Sequence, residues 1–187
     1  VIDPEYVDAY EAGYKMPFAD DRASLRAAAF FYDYTDLQVG FVNEQSVVET
    51  VNAASAEILG VEIEFFARFS EGLSGNLSAT WLDATYTDFV TGDYRQNFEQ
   101  VDLSGNYLQN APKYTLNGVL DYRRPVTATG AFVGRIEASY QDTVYFTEFN
   151  NSDAEQEAYG LLNLLAGYEG GDGKWSVTGW IRNATDE

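Results

Sequence analysis

The chain of 187 residues contains no cysteine and no histidine. Without cysteine there is no disulfide framework and no thiolate metal site, and without histidine there is no His-based catalytic triad or His metal site. Basic residues are also scarce, because 11 Lys and Arg stand against 30 Asp and Glu, which gives a formal net charge of -19. Phosphate binding needs clustered Lys and Arg, so we expect no nucleic acid partner.

Long apolar runs are absent as well. No stretch approaches the roughly 18 consecutive apolar residues of a membrane-spanning helix. A membrane protein is not excluded, because the strands of a transmembrane barrel need apolar residues only at alternate positions. No signal peptide opens the chain and Val1 is not a natural start, so we expect a fragment of a longer protein.

Aromatic residues are abundant, with 14 Tyr, 12 Phe and 3 Trp, and this enrichment favours β-strands. Apolar and polar residues alternate with period two from end to end of the chain. In the clearest segment, Val61, Ile63 and Phe65 would share one face of a strand, and Glu62 and Glu64 the other. The pattern predicts eight strands, at residues 6–16, 23–39, 53–69, 73–86, 114–123, 131–141, 159–168 and 175–183.

One predicted strand, 23–39, has an ambiguous orientation. Arg26 and Asp33 fall on opposite faces of it, so one of them must lie near a rim or a loop. We expect Phe30, Tyr32 and Tyr34 to face outward.

The connections between these strands differ in length. Short turns with Pro, Gly or Asp are expected near 17–22, 70–72, 124–130 and 169–174. An intermediate connection lies near 40–47, and long polar loops lie near 87–113 and 142–158. Short turns at one end and long loops at the other are typical of an outer-membrane barrel, where they are periplasmic and extracellular.

A soluble β-sandwich also has alternating strands, but three features favour a barrel wall. The predicted strands are long, aromatic residues cluster at their ends, and one face carries charges of both signs inside the strands. A water-filled lumen accommodates such charges while lipid covers the other face. The expected lumen-lining residues are Glu62, Glu64, Arg68, Asp121, Arg135 and Glu137. We expect the two glutamates to form a ladder with Arg68 and its neighbours.

Five short motifs, in order along the chain, resemble the β-barrel of TonB-dependent receptors. Each is weak alone, but together they span essentially all of the sequence. They are Pro4-Glu5 with Tyr10-Glu11-Ala12-Gly13-Tyr14-Lys15, the segment 28–38, Asn52-Ala53-Ala54 leading to Gly60-Val61-Glu62-Ile63-Glu64, Leu103-Ser104-Gly105-Asn106 with Asn110-Ala111-Pro112-Lys113-Tyr114, and Trp175-Ser176-Val177 with Asn183-Ala184-Thr185-Asp186-Glu187.

This resemblance implies an all-β, antiparallel up-and-down transmembrane barrel segment of about eight strands from a 22-stranded barrel. Residues 1–187 would be its C-terminal portion, without the plug domain and the last strand, and would form an open curved sheet if isolated. The resemblance implies a Gram-negative outer-membrane receptor that takes up a scarce nutrient and is driven by the TonB complex through the plug. It is not an enzyme. A ferric-siderophore-type iron chelate is the expected nutrient, with cobalamin and oligosaccharides left open.

The resemblance also implies partners and sites. Outer-membrane lipid would cover one face, and the extracellular loops would contribute to binding a small-molecule ligand. The candidate ligand-binding residues are Tyr94, Arg95, Phe98, Tyr145 and Phe149, because aromatic rings and an arginine suit a chelated or planar ligand. No catalytic residue, metal site or cofactor is expected. A small complete outer-membrane barrel with a structural or adhesive role, and a soluble β-sandwich binding module, remain as alternatives.

Overall fold

A computed structural model describes residues 2–42, 47–171 and 173–187. These residues form eleven strands and two single-turn 3₁₀ helices, at Tyr94–Gln96 and Ser152–Ala154. The strands are β1 (Tyr6–Phe18), β2 (Ala23–Val42), β3 (Val48–Ser70), β4 (Leu73–Asp93), β5 (Glu99–Asp102), β6 (Tyr114–Thr127), β7 (Gly130–Gln141), β8 (Val144–Tyr145), β9 (Glu155–Gln156), β10 (Tyr159–Gly170) and β11 (Trp175–Ile181). No helix in this part of the chain has the length and apolar character needed to cross a bilayer.

Eight long strands form one antiparallel sheet in the order β1-β2-β3-β4-β6-β7-β10-β11. Each strand pairs with its neighbour along the chain, apart from short loop strands, so the connectivity is up-and-down. The first and last strands lie at opposite edges and do not pair with each other in the described residues, so the sheet is open. The eight predicted strands and the predicted fold class are therefore confirmed, and a closed eight-stranded cylinder is excluded.

Several strands extend further than the alternation predicted. β3 begins at Val48, and β4 continues to Asp93, well into the segment expected to be a loop. A bulge between Ser55 and Ala56 shifts the register of this pair, so β4 keeps pairing although its pattern of facing changes. Because the alternation changes phase at the bulge, a period-two pattern read from the sequence ends β4 too early.

The sheet has two chemically different faces, and register assigns every strand to them. The apolar face carries Tyr10, Ile63 and Leu77, and the polar face carries Glu11 and Glu64. No second layer covers the apolar face within the described residues, because the structure contains a single large sheet. Ile63 is 41% exposed and Leu77 48% exposed.

The orientation of β2 differs from our expectation. Phe30, Tyr32 and Tyr34 lie on the polar face: the Tyr32 hydroxyl donates to the Glu11 carboxylate, and Phe30 lies directly opposite Gly60. The prediction was wrong because aromatic residues at three alternate positions of a strand are typical of a row that faces lipid. Here the Phe30 ring instead covers Gly60, which has no side chain, on the polar face. The outward positions of β2 are Leu25, Ala27, Ala29 and Phe31.

Asp33 marks a boundary on the apolar face. It lies directly between Asp8 on β1 and Glu57 on β3, and Asp83 lies at nearly the same level on β4. We refer to these four carboxylates as the acidic belt. The sequence predicted that either Arg26 or Asp33 lies near a rim, because the two residues fall on opposite faces. Asp33 is the one at the rim.

Between the level of the acidic belt and that of Arg124, which lies on the apolar face of β6 next to the short turn, each long strand presents only uncharged outward side chains. This apolar band is about nine to eleven residues high on β1 to β4, β6, β7 and β10, the length that a tilted strand needs to cross a bilayer. The segments are 10–18, 23–31, 59–69, 73–81, 114–122, 132–140 and 160–168, with 175–181 on the last strand.

The principal buried cluster lies beyond the band, on the polar-face side at the long-loop end. Ala56 is 0% exposed and Phe89 1%, and they pack with Ala54, Tyr86 and Leu103. Burial raises the pKa of Tyr86 to about 12, because the phenolate would lose its solvation. This part of the chain therefore has a conventional hydrophobic core, unlike the band.

Candidate functional site

The polar face carries the six predicted charged residues, and four of them, Glu64, Asp121, Arg135 and Glu137, form ion pairs. Glu64 accepts from Arg26 Nη1 at 3.1 Å, across the β2–β3 register pair. The expected partner Arg68 lies four residues along the same strand, about 13 Å away, which is too far for an ion pair. Glu62 and Arg68 share the face with this pair, but the ladder with Arg68 does not form.

A second network joins β6, β7 and β10. Arg135 donates from Nε and Nη2 to Asp121 at 2.7 and 3.0 Å, and from Nη1 to Glu137 at 3.5 Å. Arg123 reaches across β7 to the carboxylate of Glu169. These side chains are a third to a half exposed, so the pairs orient charge along a wet surface and add little stability.

The two long loops are joined by hydrogen bonds into one layer. The side chain of Asn150 accepts from the backbone N–H of Tyr107 at 2.6 Å and donates to the Tyr107 carbonyl at 2.9 Å. Asn106 Nδ2 donates to the Glu148 carbonyl at 2.9 Å. Because most of these bonds involve backbone groups, they fix the paths of both loops and not merely their side chains.

An ion pair at the end of β4 ties the same layer together. Arg95 donates from Nε and Nη2 to Asp93 at 2.9 and 2.8 Å, and its guanidinium lies 4.3 Å from the centre of the Phe149 ring. The Tyr94 ring contacts Phe149 edge-on. The Asp93 side chain is only 2% exposed, and the Arg95 hydrogen bonds hold the pKa of Asp93 at about 2.

The five candidate ligand-binding residues are therefore partly assembled. Tyr94, Arg95 and Phe149 form one cluster, while Tyr145 stacks on Tyr107 with the ring planes 5° apart. Phe98 lies at the tip of the β4–β5 hairpin, where its N–H donates to the Asp93 carbonyl. Two of the three donor nitrogens of Arg95 are occupied by Asp93, so this arginine offers a fixed edge and not a free cation.

Sequence reasoning missed several residues that organise the sheet and its loops. Asn52 Nδ2 donates to the carbonyls of Asp3 and Asp36 at 2.8 Å each, and Asn52 Oδ1 accepts from the Asp3 N–H. This explains the Asn52-Ala53-Ala54 motif, because the next inward position, Ala54, is 5% exposed and must be small. No local signal in the sequence pairs positions 3, 36 and 52.

In the described ranges, no group of three or more Asp or Glu side chains is placed to hold a cation. The structure instead has one sheet with an apolar face and a charged face, and a fixed loop layer beside the charged face. Such a surface can separate lipid from a wet interior and can hold a ligand at the loop end.

Comparison with known proteins assigns the fold to a family. The family model described as "TonB dependent receptor-like, beta-barrel" matches residues 2–184. The chain belongs to the TonB-dependent receptor β-barrel family. This is a receptor family and not an enzyme family, as the sequence motifs implied.

Several curated relatives and solved structures that resemble this chain are also receptors. The pesticin receptor of Yersinia pestis is 25% identical over 183 residues, covering 95% of this chain and 24% of its own length. The crystal structure of the ferric yersiniabactin uptake receptor FyuA from the same organism matches with a TM-score of 0.76 at 22% identity, covering 98% of this chain and 25% of that one.

The siderophore receptor PiuA from Acinetobacter baumannii matches equally well, with a TM-score of 0.76, 22% identity and coverage of 100% and 25%. The chain thus spans about a quarter of the length of the relatives it matches. At these identities the structural matches establish the fold of the sheet.

Proposed function

We propose that the 187 residues are the C-terminal part of a 22-stranded outer-membrane barrel whose whole protein imports a ferric chelate of the siderophore type. The observation that supports this most strongly is the bare apolar band. Val61, Ile63 and Phe65 alternate with Glu62 and Glu64 on a single sheet, and no protein layer covers them in the described part of the chain.

The height of the band supports a bilayer as the missing solvent. On β1 to β4, a stretch of about nine to eleven residues whose outward side chains are all uncharged ends at the acidic belt, and aromatic pairs such as Phe132 with Tyr168 lie near the other end of the band. Girdles of this kind are typical of barrel interfaces. A soluble sandwich would have to bury the same rows against a second sheet, which makes it the weaker candidate.

The ligand class comes from the relatives, two of which are named as a ferric yersiniabactin uptake receptor and a siderophore receptor. The loop cluster of Tyr94, Arg95 and Phe149 adds a rigid aromatic and cationic edge that suits a planar, anionic chelate. Lipid on the apolar face and the TonB complex, acting through a plug outside these residues, are the proposed partners.

Uptake of radioactive iron tests the proposal. Cells expressing the full-length receptor should accumulate ⁵⁵Fe supplied as one member of a panel of ferric siderophores, with ferric yersiniabactin included. The same cells without TonB should not. Uptake of a chelate that continues unchanged without TonB would contradict the mechanism. TonB-dependent uptake of another nutrient, with no uptake of any iron chelate, would contradict the ligand class.

A further inference from the structure

The apolar band is interrupted by a groove of about 620 Å³ that crosses β7, β10 and β11. Its floor is Gly134, Ala166 and Gly179, which lie directly opposite one another in register. Leucine and isoleucine side chains line it toward the long loops, namely Leu120, Ile136, Leu164 and Ile181. The next outward row toward the short turns is Phe132, Tyr168 and Val177.

The backbone does not require the two glycines in the floor. Neither has a positive φ. A Cβ at Gly179 would meet nothing within 4 Å, and one at Gly134 would make ordinary contacts of 3.7 Å with the Leu165 carbonyl oxygen and 4.0 Å with Tyr122 Cβ. Because glycine weakens a strand interior, the groove costs stability that the fold itself does not demand.

A positive charge lies beside the groove at its short-turn side. Arg124 is on the apolar face, directly opposite Phe132 and one outward position beyond Tyr122, which closes the groove on β6. Arg124 is exposed and has no ion pair among the residues that the structure describes. It is next to the aromatic cluster in which Tyr168 contacts both Phe132 and Trp175.

The width of the groove limits what can occupy it. The flanking rows are four residues apart along each strand, about 13 Å, and their own side chains fill much of that distance. A helix with its side chains is about 10–12 Å across and does not fit, whereas a single hydrocarbon chain does. Because the groove lies on the apolar face, lipid hydrocarbon would lie against it. Arg124 and the neighbouring aromatic rings would then lie at the headgroup level, where the arginine can pair with a phosphate.

We propose that this groove binds one acyl chain of an anionic phospholipid in the leaflet at the short-turn end, with the headgroup phosphate paired to Arg124. The inference rests on the membrane placement proposed above. The net charge of the chain, -19, would repel an anion, so Arg124, the one cation on the apolar face of the described strands, selects where the headgroup lies.

The test uses the full-length receptor, purified from outer membranes in mild detergent and titrated with phosphatidylglycerol or phosphatidylcholine of identical acyl chains in native mass spectrometry. We expect wild type to bind phosphatidylglycerol about fivefold more tightly than phosphatidylcholine. Arg124→Gln should abolish that preference and retain phosphatidylcholine binding. Gly134→Leu with Gly179→Leu should fill the groove and weaken binding of both lipids about tenfold.

Ala27→Leu is the matched control, because it adds a leucine to the apolar face of β2, away from the groove, and should leave both affinities unchanged. An unaltered lipid preference in Arg124→Gln overturns the proposal, and so does unaltered binding in the glycine double variant. If that double variant fails to fold, the arginine variant decides alone. A receptor that inserts and imports iron without any lipid preference refutes only the groove, whereas a protein absent from the membrane fraction refutes the placement.

Discussion

The apolar band and the long-loop end belong to the same strands but are stabilised in different ways. In the band, large apolar side chains such as Leu77 are about half exposed, and polar contacts lie on the other face. At the loop end, Phe89 and Asp93 are almost fully buried, as in a soluble protein. A strand that leaves hydrocarbon must supply its own core, and here β3, β4 and the two long loops supply it together.

The largest expected effect comes from truncating the loop-end core. Phe89→Ala removes a ring from a fully packed site and should lower the free energy of local unfolding by about 3–5 kcal/mol. Hydrogen exchange of residues 86–108 in the full-length receptor measures this. Leu77→Ala, on the apolar band, is the control. It should change the free energy of local unfolding by less than about 1 kcal/mol, because little packing is lost. Equal effects at both positions would erase the distinction between the regions.

A charge in the band tests its solvent. Ile63→Arg should reduce the free energy of unfolding in phospholipid vesicles by about 2–4 kcal/mol, because arginine at the middle of a bilayer is poorly solvated. Ser78→Arg places the same side chain on the polar face, beside Glu64, and should be nearly neutral. Denaturant titration of folded receptor in vesicles compares the two variants. A larger loss for the polar-face variant would reverse our assignment of faces.

Acid should loosen the loop end without affecting the band. The pKa of Asp93 in the folded state is about 2, below its ordinary value of 3.8, so its pairing with Arg95 stabilises the loop layer by about 2 kcal/mol above pH 4. Stability should fall as pH drops from about 4 through 2, because the carboxyl then takes up a proton. Exchange of residues 94–98 against pH monitors this loss. Asp93→Asn should be less stable at pH 7 and show no such dependence; a dependence that persists in Asp93→Asn would assign it to another group.

The smallest predicted effect concerns the Phe30–Gly60 pair. The Phe30 ring covers Gly60 so closely that a Cβ there would lie 2.2 Å from ring atom Cζ. Phe30→Ala should cost about 1 kcal/mol of unfolding free energy by uncovering the strand, and Gly60→Ala made in addition should recover part of it. Thermal unfolding of the single and double variants gives the coupling. If the losses of unfolding free energy in the two single variants add up to that of the double variant, the Phe30 ring does not stabilise the strand by covering Gly60.

Much of this fold could be predicted from alternation alone, because the two faces of each strand contact solvents of opposite polarity. The rows at Ile63, Leu116 and Ile136 and the charges at Glu64 and Asp121 needed no further information. The strand β2 was harder, since its aromatic residues face the polar side, where Gly60 and Glu11 receive them. That outcome depends on register with two other strands, which period-two patterning in one segment does not contain.

The loop layer could not be predicted for a related reason. Asn150 binds Tyr107, and Asn52 joins Asp3 to Asp36, over separations that only the folded chain defines. The sequence analysis grouped Arg95 and Phe149 as cationic and aromatic loop residues, and the structure brings them together. It also adds Asp93, which pairs with Arg95 and which the sequence analysis did not single out.

Spin-label accessibility on the full-length receptor in a bilayer tests the account's central claim most directly. The 187 residues lack cysteine, so single cysteines at 61 to 65 label this region unambiguously. We predict high collision with oxygen and low collision with a water-soluble nickel chelate at positions 61, 63 and 65, and the reverse at 62 and 64. Protection of 61, 63 and 65 from both reagents would mean that protein covers this row, and would contradict a wall that faces lipid.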